Sequence, residues 1–323
     1  MSRAAITVVL PVHNGMPYIH EALESILLQT FKGLKVIAID DGSTDGTGEY
    51  LDTIRDERLT VIHQRRAGLG AVLNLGIDLC DTEFLARMDA DDISLPARFE
   101  QQAACLRGDP ALIAVGSPLN FLVHDRVQTG VPYPTTHNDI VRDLIANGSS
   151  FAHPTLLMRT SAAQATRYRI AGAGEDLDFC LRLAEYGKVA NLADSQYLYR
   201  LHEGSVSMTK RGELECGYSY ARHTALERKA GSPETPLPIF VQEWKRRSVG
   251  RRIRTWLVSA SLVRYRRARL AWAEKLYWRG AVHLTVSAAL QPLRAAKLGA
   301  RKLRSETGRA VYAKQWVVAR RFS

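Results

Sequence analysis

Cysteine is scarce: four residues in 323, with no C-x-x-C pair and no histidine partner at zinc-finger spacing. Cys80, Cys105, Cys180 and Cys216 are scattered. That excludes a disulfide scaffold and reads as small apolar residues of a reducing compartment. Long apolar runs are missing as well. The longest weakly polar stretch of the C-terminal part, residues 280–293, covers 14 residues and contains His283, against about 20 for a membrane-spanning helix. The N-terminal apolar run is broken by Pro11, His13, Asn14 and Gly15, so neither a signal peptide nor a spanning segment is expected. Acidic residues are nearly absent from one region. Residues 241–323 hold 21 Lys or Arg against Glu243, Glu274 and Glu306, a net charge of +18. The preceding 240 residues carry 23 basic and 30 acidic side chains, a net of −7. The whole-chain value of +11 is therefore an average of two unlike parts. A turn-rich stretch, GSPETPLP at 231–238, marks the change. Length predicts about two domains at roughly 150 residues each, expected as residues 1–230 and 231–323.

The first part alternates strand and helix patterns. AITVVLPV (5–12) is a continuous β-branched run, as for a strand buried on both faces. A helix over 18–30 follows, then strands at 34–40, 59–63 and 84–88 and helices near 47–55 and 70–79. Strand-like sequence is expected at 111–123, 150–159 and 196–201, and a helix at 174–187. Ser94-Leu95-Pro96 reads as an N-cap with Pro in the first turn of a helix reaching Leu106. This succession predicts an α/β fold, a doubly wound and mostly parallel sheet flanked by helices. In such sheets ligands bind at the carboxyl ends of strands, and the acidic clusters fall there.

Asp89-Ala90-Asp91-Asp92 follows the fourth strand. Three adjacent carboxylates repel one another unless a cation is present, and such oxygen ligands suit Mg²⁺ or Mn²⁺ beside substrate phosphates. The alternative is a solvated turn ahead of the next helix. Asp40-Asp41-Gly42-Ser43-Thr44-Asp45-Gly46 follows the second strand. Its carboxylates suit base or ribose hydrogens, or else form an Asx turn leading to an N-cap at Asp45. Gly68 to Gly76 opens a helix with small residues that let backbone N–H groups approach phosphate, but it lacks the lysine of a P-loop. Gly174-Glu175-Asp176 starts a further helix, where the dipole keeps a carboxylate ionised and fit to act as a general base.

Taken in order, TVVLPVHNG (7–15), IDDGSTDGT (39–47), GLGAVLNLGI (68–77), ARMDADDISLPARFEQQ (86–102), HPTLLMR (153–159), GEDLDFCLRLAEYGK (174–188) and YRLHEGSVS (199–207) resemble the family-2 glycosyltransferases. The likeness covers roughly residues 5–210. It implies a GT-A-like catalytic domain, a nucleotide-sugar donor (UDP or another nucleoside diphosphate), Mn²⁺ or Mg²⁺, and inversion at the anomeric carbon. On this chain it implies that Pro11, Val12, His13, Asn14 and Asp40 line the nucleotide pocket with Asp41, Ser43, Asp45, Gly68 and Asn74. Asp89 and Asp91 form the DxD pair, Asp91 as direct metal ligand, and Asp92 could share that work. Asp176 is the implied base, with Glu175 positioning acceptor or base, and Arg200 and His202 are placed near the diphosphate. One base and a separate metal site suit displacement of a diphosphate, rather than the carboxylate pair of a glycosidase.

The basic region reads as mostly helical, with Trp244, Trp256, Tyr265, Trp272, Tyr277, Trp278, Tyr312 and Trp316 among the arginines. That composition suits an interfacial binder of anionic lipid; a bundle with a solvated basic face is the alternative. Nucleic acid is not expected, because no recognised module is present. The expectation is a peripheral enzyme on the cytoplasmic membrane face, acting on a glycan or lipid-linked glycan for surface polysaccharide. A sugar-phosphate nucleotidyltransferase would want a Gly-rich, Arg/Lys-bearing loop after the first strand, where PVHNG stands. A non-catalytic nucleotide-sugar-binding scaffold is countered by the intact Asp91 and Asp176.

Overall fold

The computed structural model describes residues 4–148, 150–169, 174–202 and 211–292. The end of the YRLHEGSVS motif and the basic stretch with Tyr312 and Trp316 lie outside the described residues. In chain order the elements are β1 (Ile6–Val12), α1 (Ile19–Leu27), β2 (Leu34–Asp41), α2 (Thr47–Thr53), β3 (Leu59–Gln64) and α3 (Leu69–Asp78). Then come β4 (Phe84–Arg87), β5 (Ile93–Ser94), α4 (Arg98–Gly108), β6 (Leu112–Gly116), β7 (Asn120–Val123), β8 (Arg126–Gln128) and α5 (His137–Asn147). A 3-10 turn (His153–Thr155) leads to β9 (Leu157–Arg159), α6 (Thr160–Thr166), α7 (Glu175–Tyr186), β10 (Lys188–Asn191) and β11 (Tyr197–Arg200). The last described helices are α8 (Arg211–Lys229), α9 (Leu237–Lys245), α10 (Val249–Ala273) and α11 (Tyr277–Leu290).

The chain packs as two units: Met1–Leu119 with Tyr133–Tyr199, and Asn120–Pro132 with Arg200–Ser323. The first is built on a seven-stranded sheet of order β10-β6-β9-β4-β1-β2-β3. β1 runs parallel to β2 and β4, β2 to β3, and β6 to β10. β9 alone runs antiparallel, between β4 and β6. The α/β class and mostly parallel sheet are as the alternating pattern predicts. Every residue of β1 is buried, which is why its sequence shows no alternation. Helix α3 lies against it through Gly76, where a Cβ would fall 2.3 Å from a Val9 methyl.

Three local expectations give way to tertiary contacts. The strand expected over 111–123 is two strands, because the backbone leaves the ladder at Ser117-Pro118. There Ser117 donates its N–H to Thr155 Oγ1 at 2.9 Å, and Pro118 has none to donate. The strand expected over 150–159 survives only as β9, since Pro154 sits in the 3-10 turn before it. Ser94 does not cap a helix. It pairs with Tyr197 in the β5–β11 contact, its hydroxyl accepts from Gln29 Nε2 at 3.1 Å, and α4 begins only at Arg98.

In the second unit β7 and β8 form a hairpin, and the expected helices fill most of the described basic region. Helices α10 and α11 form a hairpin, joined by the buried Ser261 and Ser287 hydroxyls at 3.0 Å and by Trp272 against Gly280. Arg269 lies over the Phe121 ring at 4.2 Å and donates to Gln128 Oε1 at 3.2 Å, fixing α10 on the hairpin. Among the described residues no helix is long and apolar enough to cross a membrane.

Candidate active site

The apolar strand β4 delivers its last residue, Arg87, and then Asp89, Asp91 and Asp92 to the carboxyl end of the sheet. The three carboxylates each bring an oxygen within 4.8 Å of the others. Asp92 is fully buried, and Asp89 is ion-paired with Arg87 Nη2 at 2.5 Å while its N–H donates to Tyr197 Oη at 3.2 Å. Burial raises the Asp89 carboxyl above its ordinary range; Arg87 opposes this, and the charges of Asp91 and Asp176 add to it. An all-oxygen donor set with this excess of negative charge fits a hard divalent cation.

Arg87 itself is 3% exposed. Burial works against its charge, but Asp89 and Tyr197 outweigh that and hold it protonated. Its Nε and Nη1 have no hydrogen-bond partner among the described residues.

Helix α7 brings the second acidic group. Gly174 precedes it at φ 99°, a left-handed conformation that favours glycine, and Glu175, Asp176 and Asp178 occupy the first turn. These three acids differ. Asp178 is buried and held by Arg169 at 2.8 Å and by Arg182, so it is a structural anion. Asp176 caps its own turn, Oδ1 accepting from Leu177 N–H at 2.8 Å. Glu175 is pushed up to about 7, first by burial and then by Asp176, with Arg87 opposing and Asp89 adding. Its Oε2 is buried with no hydrogen-bond partner among the described residues. The Asp89–Asp91–Asp92 cluster and the Glu175–Asp176 pair, far apart in sequence, thus act on one another electrostatically. The 3-10 turn packs on both β4 and α7. Its buried His153 meets Tyr168 Oη at 2.5 Å, and Tyr168 stacks on Phe179 at 4.2 Å. Burial, and then Arg87, hold His153 well below the usual histidine range, so it is neutral.

Loops after β1 and β2 are knitted together at the same end of the sheet. Asn14 N–H donates to Ser43 Oγ, and Thr44 N–H to Asn14 Oδ1, both at 2.9 Å. Asp45 accepts from Met16 N–H at 2.9 Å, and His13 Nδ1 contacts the Asp41 carbonyl at 2.9 Å. Asp40 accepts from Ser43 N–H and pairs with His63; burial alone would raise its carboxyl, but these bonds hold it below the usual range. Asp41 is likewise lowered against burial by Gln64 and by the N–H groups of Ala67 and Gly68, so it ties down the loop before α3. Pro11 and Val12 end the buried β1. Both ends of the Asn74 amide bond the backbone of Tyr168, at 2.8 and 2.9 Å, so this side chain holds Tyr168 in place. Arg200 ends β11 and is buried, and His202 is half-buried; both belong to the second unit.

Five residues escape sequence reasoning: Arg87, Arg98, His153 with its partner Tyr168, and Tyr197. Arg98 is fully buried, donating to the carbonyl of Arg87 at 2.8 Å and of Pro154 at 3.2 Å, and it faces the Tyr197 ring at 5.1 Å. A charged residue inside the apolar run FLARM was the one visible signal, for Arg87.

The family model for Glycosyl transferase family 2 matches residues 7–164. The chain is similar to the putative glycosyltransferase EpsE of Bacillus subtilis, 31% identical over 64% of this chain and 76% of that protein. It is also similar to the O-antigen biosynthesis glycosyltransferase WbnJ of Escherichia coli, 28% identical over 69% of this chain and 90% of the relative. Among solved structures, the mannosyltransferase PcManGT of Pyrobaculum calidifontis, in complex with GDP-Man and Mn²⁺, superposes with a TM-score of 0.53. That match covers 98% of this chain and 84% of the other at 18% identity. The fold is of the GT-A type.

Proposed function

The chain belongs to glycosyl transferase family 2, and from that premise we propose that it transfers a sugar, with inversion and with a divalent metal, from a nucleoside diphosphate to an acceptor hydroxyl. The observation that carries this is the meeting of the Asp89–Asp91–Asp92 cluster with Glu175 and Asp176. Asp91 and Asp89 would hold Mn²⁺ or Mg²⁺, as the all-oxygen donor set fits. Bound there, the metal supplies charge neutralisation for the departing diphosphate. Asp176 takes the proton of the acceptor hydroxyl as it attacks C1 on the side away from the diphosphate, and Glu175 positions the acceptor or the base. The knitted loops carrying Pro11 to Asn14, Asp40, Ser43 and Asp45 face the base and ribose, with Gly68 beside the phosphates.

The acceptor is a lipid-linked glycan of a surface polysaccharide, a reading supported by the O-antigen relative. Residues 231–323 serve as a basic extension that docks the catalytic part, residues 1–230, on the cytoplasmic face of an anionic membrane. Val249, Ile253 and Trp256 support this: they are 69%, 52% and 64% exposed along one stripe of α10, within a region of net charge +18. Thermal-shift assays with UDP-, GDP- and dTDP-sugars plus Mn²⁺ test the donor, and one nucleotide should stabilise the protein only with metal. Asp176→Asn should cut transfer by about 10²–10⁴-fold with donor binding kept. Transfer by Asp176→Asn at the wild-type rate would remove Asp176 as base.

A further inference from the structure

The buried end of β4 and the start of α7 present two polar groups left unmatched among the described residues. On β4, Arg87 is 3% exposed, and its Nη2 is engaged on Asp89. Nε and Nη1, which carry three N–H donors, have no hydrogen-bond partner among the described residues. On α7, the Glu175 Oε2, an acceptor, is equally buried and equally without a partner there. The 3-10 turn of His153 packs against both elements, and the Arg87 charge is felt at Glu175. Buried donors and acceptors left unmade carry an uncompensated desolvation cost. A buried arginine fork and a carboxylate oxygen left unmade suit a ligand that completes them.

We propose that Arg87 and Glu175 together recognise one hydroxyl of the donor sugar, Arg87 donating to its oxygen and Glu175 accepting its hydrogen. A hydroxyl is the smallest group that does both. A phosphate oxygen would satisfy Arg87 but bring no hydrogen for Glu175 Oε2 to accept, and an ammonium would bring no acceptor for Arg87. The position favours the sugar over the nucleotide, because Arg87 is anchored on Asp89, beside the metal–diphosphate carboxylates, and Glu175 adjoins Asp176. Arg87 is thus a specificity-determining residue as well as the partner of Asp89. The inference rests on the glycosyltransferase reading above.

Arg87→Lys separates the two roles, because an ammonium still balances Asp89 but lacks the arginine fork. Glu175→Met removes the acceptor at similar length. Calorimetric titration with Mn²⁺ would use UDP and GDP, then UDP-glucose, UDP-galactose, UDP-N-acetylglucosamine and GDP-mannose. Each variant should bind the preferred nucleoside diphosphate within about twofold of wild type. Affinity for its sugar conjugate should fall by roughly 10–100-fold, as for hydrogen bonds to charged groups. On the wild-type protein, one monodeoxy donor of the series should show the same loss, and Arg87→Lys should bind that analogue as wild type does. Equal weakening of nucleotide and nucleotide-sugar would overturn the proposal and leave Arg87 only the support of Asp89. Unchanged nucleotide-sugar affinity in both variants, or a deoxy series with no single sensitive position, would overturn it as well. If wild type binds neither UDP nor GDP with Mn²⁺, the donor-site reading itself fails, which is a distinguishable result.

Discussion

Glu175→Gln tests the electrostatics of the site without any ligand. Burial and Asp176 raise the Glu175 carboxyl from an ordinary 4.5 to about 7. The folded protein therefore binds this proton more tightly than the unfolded chain. The stabilising contribution is complete below pH 4.5 and is lost as pH rises through about 7. Over that window the loss amounts to ~3 kcal/mol, most of it gone by neutral pH. Glutamine has a similar shape and never ionises, so the variant escapes the loss. Wild type and variant should unfold at similar temperatures near pH 4.5, and the variant should then pull ahead with rising pH. At about 2–4 °C per kcal/mol for a unit of this size, the gap should reach roughly 5–10 °C by pH 7.5. Circular dichroism melts of both proteins at half-unit steps between pH 4.5 and 8 would measure it. The difference between the two curves cancels titrations that they share. Curves that stay parallel, or a wild type that gains on the variant as pH rises, would refute a buried, proton-retaining Glu175.

Arg98→Met should destabilise the protein by about 3 kcal/mol, because it strips the donor from the Arg87 and Pro154 carbonyls; urea unfolding checks this, and a loss below about 1 kcal/mol would contradict it. Gly76→Ala places a methyl 2.3 Å from Val9 and should cost about 1–3 kcal/mol of overpacking despite the better helix propensity of alanine, again by urea titration. Trp256→Glu with Ile253→Glu should abolish sedimentation with phosphatidylglycerol vesicles while leaving the far-UV spectrum unchanged; undiminished binding would return α10 to a solvated role.

Much of the first unit was legible because its central strands β1, β2 and β4 are buried on both faces. AITVVLPV could be little else, and the spacing of the helices between such runs leaves a parallel order as the short-connection solution. The boundaries that failed did so where a distant partner outbids a local preference. Ser94 is a good cap by type, yet Gln29 and Tyr197 claim it. The antiparallel β9 was invisible because a three-residue strand, Leu157–Arg159, carries no sign of direction. The acidic clusters were equally legible, since carboxylates at strand ends and helix starts are local patterns.

What the sequence by itself determined was the alternation of elements, the charge asymmetry and the identity of the acidic groups, all set by side-chain type within a few residues. Only the tertiary structure decided which of those acids act together. It separated Asp178, tied to Arg169 and Arg182, from its neighbours Glu175 and Asp176, which answer to Asp89 and Arg87. It also buried Arg87 with three N–H groups unmatched among the described residues. Desolvation and long-range pairing depend on what surrounds a group from every side, and a linear pattern records only what lies along the chain.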